Sequence, residues 1–362
     1  MTKNTSFFHK KLIQWYLRNK RDLPWRATQN PYFIWLSEVM LQQTRVAQGL
    51  PYYYKFVEVF PTIEHLANVS EEKVLKSWQG LGYYSRARNL HSTAKYITEN
   101  LGGIFPNTYV DLLKLKGIGD YTASAIASIC FNEATAVVDG NVYRVLARFF
   151  DIETPINSSA GVKEFKLLAQ QLIDPKQPGT YNQAIMEFGA RQCAPQNPDC
   201  VNCIFNDNCL ALAKGKVSQL PVKLGKTRIR KRYFNYIVSC SEDQKTIIRQ
   251  RLQKGIWQKL YEFPLIETEA EISWNQMKRL QEYTILSEAL RIESLTLYNE
   301  ISIVHKLSHQ HLYTRFWIAQ VSVEHGDELQ PEEIRIPIAK VRNYAVPILI
   351  ENFISDFSPF KI

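Results

Sequence analysis

The chain has 362 residues, 45% of them hydrophobic, and a formal net charge of +9. That is apolar material enough to bury real cores, at a length suited to two domains or three, and no apolar stretch approaches the roughly 20 residues that span a bilayer. A soluble globular protein with no membrane-spanning helix is expected. The opening residues, MTKNTSFFHKKLIQWYLRNK, read as an amphipathic helix and not as an export signal, so a soluble cytoplasmic protein is expected.

From residue 8 to about 212, apolar positions recur at three- and four-residue spacing. They predict helical stretches over 8–18, 32–60, 71–79, 85–99, 120–131, 141–150, 161–173 and 181–190. This first domain, residues 1–213, is expected to be all-α. Within it, Leu115-Lys-Gly-Ile-Gly-Asp-Tyr121 places Gly117 and Gly119 in a hairpin ahead of a helix rich in small residues. Such a helix-hairpin-helix frees backbone amides at the second helix's N-terminus, which can hold a DNA phosphate without reading sequence. The same turn also serves as a plain helix connection.

Two carboxylates in this region invite chemistry. On a helix Glu38 shares a face with Ile34, Leu41 and Gln42, so its carboxyl is set among mostly apolar neighbours and desolvation raises its pKa. A helical glutamate is otherwise most often a surface residue. Asp139 follows the apolar run Ala136-Val-Val138 and precedes Gly140 and Asn141, where a helix begins. Read from these residues alone, it is an N-cap or turn aspartate.

Further along, Cys193, Cys200, Cys203 and Cys209 fall within 17 residues, with six, two and five residues between successive thiols. This density marks a metal site rather than disulfides, and Cys130 and Cys240 sit alone in apolar runs. Four thiolates suit zinc or an iron–sulfur cluster, and the spacing is neither the paired knuckle usual for zinc nor a ferredoxin run. Residues 214–232 then carry eight Lys or Arg and no acid, leaving the rest of the chain close to neutral. The stretch 214–230 reads as a basic linker, either merely solvated or laid along a phosphate backbone.

Beyond the linker, residues 231–362 change texture. Strand-like runs at Tyr233–Cys240, Thr246–Arg249, Ile301–Val304 and Tyr313–Val323 alternate with helical patterns near 271–281 and 333–354, which predicts a separate α+β domain. Its sharpest local feature is His305-Lys-Leu-Ser-His-Gln-His311. No cysteine or carboxylate completes a spaced ligand set there, so a zinc site is not expected.

The cysteine spacing resembles the 4Fe-4S loop of endonuclease III-type DNA glycosylases. With it go Asp22-Leu-Pro-Trp-Arg26, Trp35-Leu-Ser-Glu-Val-Met-Leu-Gln-Gln-Thr44, Gly80-Leu-Gly-Tyr-Tyr-Ser-Arg86 and Val138-Asp-Gly-Asn141. Together they resemble the MutY family of adenine glycosylases along nearly the whole chain. The resemblance implies one 4Fe-4S cluster on the four cysteines, and duplex DNA as partner, carrying adenine opposite 8-oxoguanine or guanine. It implies that Glu38 protonates the adenine's imidazole ring and that Asp139 stabilises the oxocarbenium-like sugar or forms a transient adduct, with Asn141 assisting. Trp25, Arg26, Leu41 and Gln183 match the family's adenine pocket. Gln43 and Tyr83 match its wedge, which fills the gap left by an extruded nucleotide, and Thr44 and Leu81 match its contacts to the orphaned partner base. Tyr121 stands where bifunctional relatives carry a Schiff-base lysine. A phenol forms no imine, so hydrolysis without strand cleavage is expected.

Residues 231 to about 355, including Gly255-Ile-Trp-Gln-Lys-Leu-Tyr-Glu-Phe-Pro264, resemble the family's Nudix-like domain. With no glycine between Gly255 and Gly326, the working Nudix motif is missing and a recognition module is expected. In it Ser308 and His309 match the residues that contact 8-oxoguanine. Lys116 and Leu307 depart from the family's proline and phenylalanine, Tyr143 replaces a lysine of some relatives, and the loop between Cys193 and Cys200 lacks their basic residues. The rival readings are a pyrimidine-lesion glycosylase with lyase activity, a non-catalytic iron–sulfur DNA-binding protein and a Nudix hydrolase. A monomer is expected.

Overall fold

The computed structural model describes residues 3–225, 229–322 and 329–360. Lys226 and Arg228 of the basic run, and Val323 at the end of an expected strand, lie outside them. Contacts divide the chain into two compact units, Met1–Asn68 with Asn89–Gly225, and Val69–Arg88 with Lys226–Ile362.

The helices before the basic run are α1 (Lys3–Asn19), α2 (Pro31–Met40), α3 (Val46–Val59), α4 (Ile63–Asn68), α5 (Glu71–Trp78), α6 (Ser85–Leu101), α7 (Tyr109–Leu112), α8 (Asp120–Phe131), α9 (Gly140–Phe150), α10 (Ser159–Leu172), α11 (Pro178–Arg191) and α12 (Leu210–Ala213). No strand occurs among the described residues of the first unit, as expected from its periodicity. The single stretch expected over 32–60 is instead two helices, because Gln43 turns into the left-handed region at φ 56° between them.

Helix α2 begins where the Asn30 side chain accepts the Tyr32 amide and Pro31 fills the first turn. It is buried almost all round, packed against α3 and α8. Small residues on α8, Ala123, Ser124, Ala125 and Ala127, let neighbouring backbones approach closely. The same logic fixes Gly189 on α11: a Cβ there would come within 2.7 Å of the Asn141 Cβ, so only glycine lets α11 lie against the start of α9.

In the second unit one sheet has the order β4 (Leu265–Thr268), β1 (Arg230–Ser241), β7 (Gln310–Val321), β5 (Ile292–Leu297), with β6 (Ile303–Lys306) also on β7. Strands β1 and β7 run parallel over their full length, and the other pairings are antiparallel. A second sheet orders β3 (Tyr261–Glu262), β2 (Lys245–Gln250) and β8 (Glu333–Pro337). Ile237, Ile247, Ile266, Met277 and Trp317 share one core, and on the other side Phe353 stacks on Phe316 at 4.0 Å.

The helical pattern expected over 333–354 resolves into β8, a 3₁₀ turn and helix Ile348–Asp356. In Glu-Ile-Arg-Ile-Pro the alternation is too short to separate a period of 2 from one of 3.6. The pattern near 271–281 likewise becomes two short helices, Trp274–Met277 and Gln281–Leu290.

The segment Val69–Arg88 is tied into the second unit by polar contacts. Lys76 Nζ donates to Tyr344 O at 3.1 Å, the Val346 amide to Gln79 Oε1 at 3.2 Å, Gln79 to Glu351 at 2.8 Å and Arg88 to Gln258 O at 2.8 Å. Nothing in the sequence periodicity announces this, because these partners are some 170 to 272 residues away.

Candidate active site

A cavity of about 410 Å³ opens in the helical unit, walled by α2, the turn after it, α8, α9, α11 and the loop at Trp25 and Arg26. Glu38, Tyr121, Asp139, Asn141, Trp25, Arg26, Leu41, Thr44 and Gln183 all line it. The sequence scatters these residues over 159 positions; the helix packing brings them to one place.

Glu38 is 8% exposed on the buried helix α2. Burial pushes its carboxyl up to about 7, against a hydrogen bond from the Tyr121 hydroxyl at 2.5 Å, with the charge of Asp139 raising it and that of Arg26 lowering it. The Tyr121 hydroxyl also lies 3.1 Å from Met186 Sδ.

Asp139 is both the N-cap that its sequence context suggested and a wall of the cavity. Its Oδ1 accepts the amides of Asn141 (2.9 Å) and Val142 (2.8 Å), while Oδ2 accepts Asn141 Nδ2 at 2.7 Å. Desolvation holds its pKa above the usual range, opposed by these three donors and by Arg144. Asn141 in turn accepts from Arg144 Nη2 at 2.9 Å, and the same guanidinium donates to Gly189 O and Cys193 O. A continuous hydrogen-bonded chain thus joins the cysteine loop to Asp139.

Glu187 and Arg144 escaped the sequence reading, although both line the cavity. Glu187 is 1% exposed and accepts from Arg21 and Arg26. Burial alone would raise it, but the two arginines outweigh that and hold it at about 2. The available signal was facial: Gln183 and Glu187 stand four apart on α11, and Arg144 lies one turn beyond Asn141 on α9.

Other expected residues lie away from the cavity lining. Gln43 and Tyr83 are both exposed and both at positive φ, 56° and 49°, a conformation non-glycine residues rarely keep and one associated with functional sites. Tyr83 is 50% exposed and falls, with Leu81, in the segment that groups with the second unit. Leu81 is 3% exposed, so in this state it presents no surface to a base. Gly117 adopts φ 79°, and a Cβ there would strike Asn89 at 2.6 Å; Gly119 caps α8 with no side chain over its N-terminus. The hairpin needs its first glycine for the turn and its second leaves the helix end open.

Cys193, Cys200, Cys203 and Cys209 line one small void of about 30 Å³ together with Arg148. Arg148 donates to Cys193 Sγ at 3.5 Å and to the carbonyls of Ala194 and Pro195. Among the described residues no group of three or more His, Cys, Asp or Glu is already arranged to hold a metal ion, although the four thiols share this void. In the second unit Ser308 and His309 are exposed at the tip between β6 and β7, where the Leu307 amide donates to Gln310 O at 2.8 Å. His305 packs instead against Trp257.

Residues 36–170 match the HhH-GPD superfamily of base excision DNA repair proteins, and residues 235–356 match the NUDIX domain. Among solved structures, a thermostable thymine-DNA glycosylase aligns with 59% of this chain and 98% of its own, at 28% identity and a TM-score of 0.54. An endonuclease III–DNA complex aligns at 22% identity and a TM-score of 0.51, which speaks to the fold alone. The helical unit is thus that of a helix-hairpin-helix base excision glycosylase. An adenine DNA glycosylase of Buchnera aphidicola subsp. Baizongia pistaciae is 35% identical over 317 residues, 87% of this chain and 86% of that protein. The human adenine DNA glycosylase is 46% identical over 222 residues, 59% of this chain and 41% of its own length. This chain belongs to the adenine DNA glycosylase family, enzymes that hydrolyse N-glycosyl bonds in DNA repair.

Proposed function

We propose that this chain removes adenine from duplex DNA at sites opposite 8-oxoguanine, and less efficiently opposite guanine, by hydrolysis that leaves the strand intact. The observation that carries this reading is the pairing, in one cavity, of a buried carboxyl held near 7 with a second carboxylate fixed by three hydrogen bonds. Burial raises both carboxyls, but three donors and the charge of Arg144 oppose it at Asp139, against one phenol and the charge of Arg26 at Glu38, a difference that favours the anion at Asp139 and the acid at Glu38.

In this reading the nucleotide is extruded, with Gln43 and Tyr83 filling the gap. Glu38 gives its proton to a ring nitrogen of the adenine. The glycosidic C–N bond then breaks, its electron pair leaving with the now neutral base. The Asp139 carboxylate balances the positive sugar, and water adds to the anomeric carbon, the released proton restoring Glu38. Tyr121 holds Glu38 and offers no amine for an imine, so no lyase step follows. Cys193, Cys200, Cys203 and Cys209 would hold one 4Fe-4S cluster, which would tie their loop into a single unit; four thiols around a common void, with the Arg148 guanidinium beside them, suit an anionic cluster. The open hairpin at Gly117 and Gly119 suits a DNA phosphate, and Ser308 and His309 are the polar groups offered to the 8-oxoguanine.

The test is a labelled duplex with one adenine opposite 8-oxoguanine, incubated with the protein with and without later alkali. Alkali-dependent cleavage is expected, and it should vanish with Asp139→Asn, which keeps the helix cap because asparagine caps as well as aspartate. Nicking without alkali would overturn the monofunctional reading.

A further inference from the structure

One wall of the cavity is built from Gln183, Glu187 and Arg26, and its hydrogen-bonding capacity can be counted. Glu187 offers about four acceptor sites. Four donors meet them: the Arg21 amide and Nε at Oε1 (3.1 and 2.8 Å), and Arg21 Nη2 and Arg26 Nη2 at Oε2 (2.7 Å each). The carboxylate is therefore fully engaged with its arginines. Gln183 stands one turn away and lines the same cavity. Its Oε1 accepts the Tyr16 hydroxyl at 2.6 Å, while its NH₂ meets no protein partner among the described residues.

Tyr16 lies on α1, 2% exposed, out of reach of anything entering the cavity. Two cations sit over its ring, Arg26 with its guanidinium carbon 5.4 Å from the centroid and Lys20 with its ammonium at 5.7 Å. Positive charge over a phenol strengthens the hydroxyl as a donor and weakens it as an acceptor. The bond thus runs from the hydroxyl to the amide oxygen, and the reversed amide, pointing NH₂ at the phenol, is disfavoured.

We infer that Tyr16 is a positioning residue that fixes the Gln183 amide with its NH₂ toward the base, so that the pocket presents a donor and selects an unprotonated ring nitrogen. A base carrying N–H at that edge meets donor against donor, an unpaired arrangement that costs more than a lost contact. Arg26 has a double part, closing Glu187 and polarising the phenol. The inference rests on the reading that Gln183 faces the extruded adenine.

The experiment is a double-mutant cycle in single-turnover base release from a duplex with adenine opposite 8-oxoguanine. Tyr16→Phe should slow release about fivefold to tenfold, the effect of one neutral hydrogen bond, and should add nothing in a Gln183→Leu background. Equal losses in both backgrounds overturn the inference, since they mark a packing role. Full activity of Gln183→Leu alone instead overturns the placement of Gln183 against the base. Gln183→Glu leaves Tyr16 untouched and keeps its bond while replacing the NH₂ by an acceptor. It should be as slow as Gln183→Leu, and retained activity there would refute the donor assignment even if Tyr16→Phe did not fold.

Discussion

Glu38 in the helical unit and Glu262 in the β-rich unit are both buried glutamates on the wall of a cavity, 8% and 1% exposed. Their partners differ. Glu262 meets Arg251 Nη1 with both oxygens at 2.7 Å, Arg249 at 3.4 Å and the Tyr236 hydroxyl at 3.0 Å. Glu38 receives a neutral phenol and forms no ion pair among the described residues. A buried charge that is matched serves architecture; one left without a cation retains its proton and becomes available as an acid. Glu187, closed by two arginines within the same cavity as Glu38, shows that the distinction follows the partners and not the unit.

The sharpest way to break the comparison is to exchange the acids for amides. Glu38→Gln keeps shape and the capacity to accept from Tyr121 but has no proton to give. Base release should fall about a thousandfold, within the usual span for general acid catalysis, with little change in unfolding by urea. Glu262→Gln should do the opposite. Removing one partner of a buried ion pair leaves arginine uncompensated and costs about 3 kcal/mol in urea unfolding, while the single-turnover rate of the folded fraction stays within about twofold of the parent. If Glu262→Gln abolished catalysis in folded protein, the division between the two acids would fail.

A pH profile sharpens the same point without substitution. In the proposed mechanism Glu38 acts as its protonated form, and its raised pKa keeps that form present up to about 7. The rate should therefore fall as pH rises through about 7, approaching tenfold per unit beyond it. The same mechanism needs Asp139 as the anion, so its raised pKa should place the acid limb above the usual carboxylate value of about 3.9. In Glu38→Gln the alkaline limb should disappear and the acid limb remain.

Periodicity in the sequence carried the helical unit well, because amphipathic helices of ten or more residues leave a repeated apolar face. The short strands β3, β4 and β8 left no comparable trace, being two to five residues long. Within the site, Glu38, Asp139 and Tyr121 were legible through motifs that are local in sequence. Glu187 and Arg144 were not, since their importance lies in bonds to Arg21, Arg26, Gly189 and Cys193, set by how α11 crosses α1 and α9. The grouping of Val69–Arg88 with the second unit was illegible for the same reason. Local pattern reveals which groups can do chemistry, while packing decides which of them are neutralised.

The smallest expected effect lies at the other extreme of burial, in the tip between β6 and β7. Ser308 and His309 are exposed there, and among the described residues their side chains make only a 3.4 Å contact with each other and one of 3.2 Å between the His309 ring and Gln310 Nε2. Exposed polar groups with so little internal bonding add almost nothing to stability, so a Ser308/His309 double alanine variant should unfold with the parent, unlike Glu262→Gln in the same unit. Release of adenine opposite plain guanine should also be unchanged. Opposite 8-oxoguanine the rate at subsaturating protein should drop about fivefold to tenfold, the worth of one or two hydrogen bonds, erasing the preference for the oxidised base. An unchanged ratio between the two duplexes would remove this tip from recognition. Equal loss on both would make it a general DNA contact, because a group that reads the oxidised base must act on one partner and not on the other.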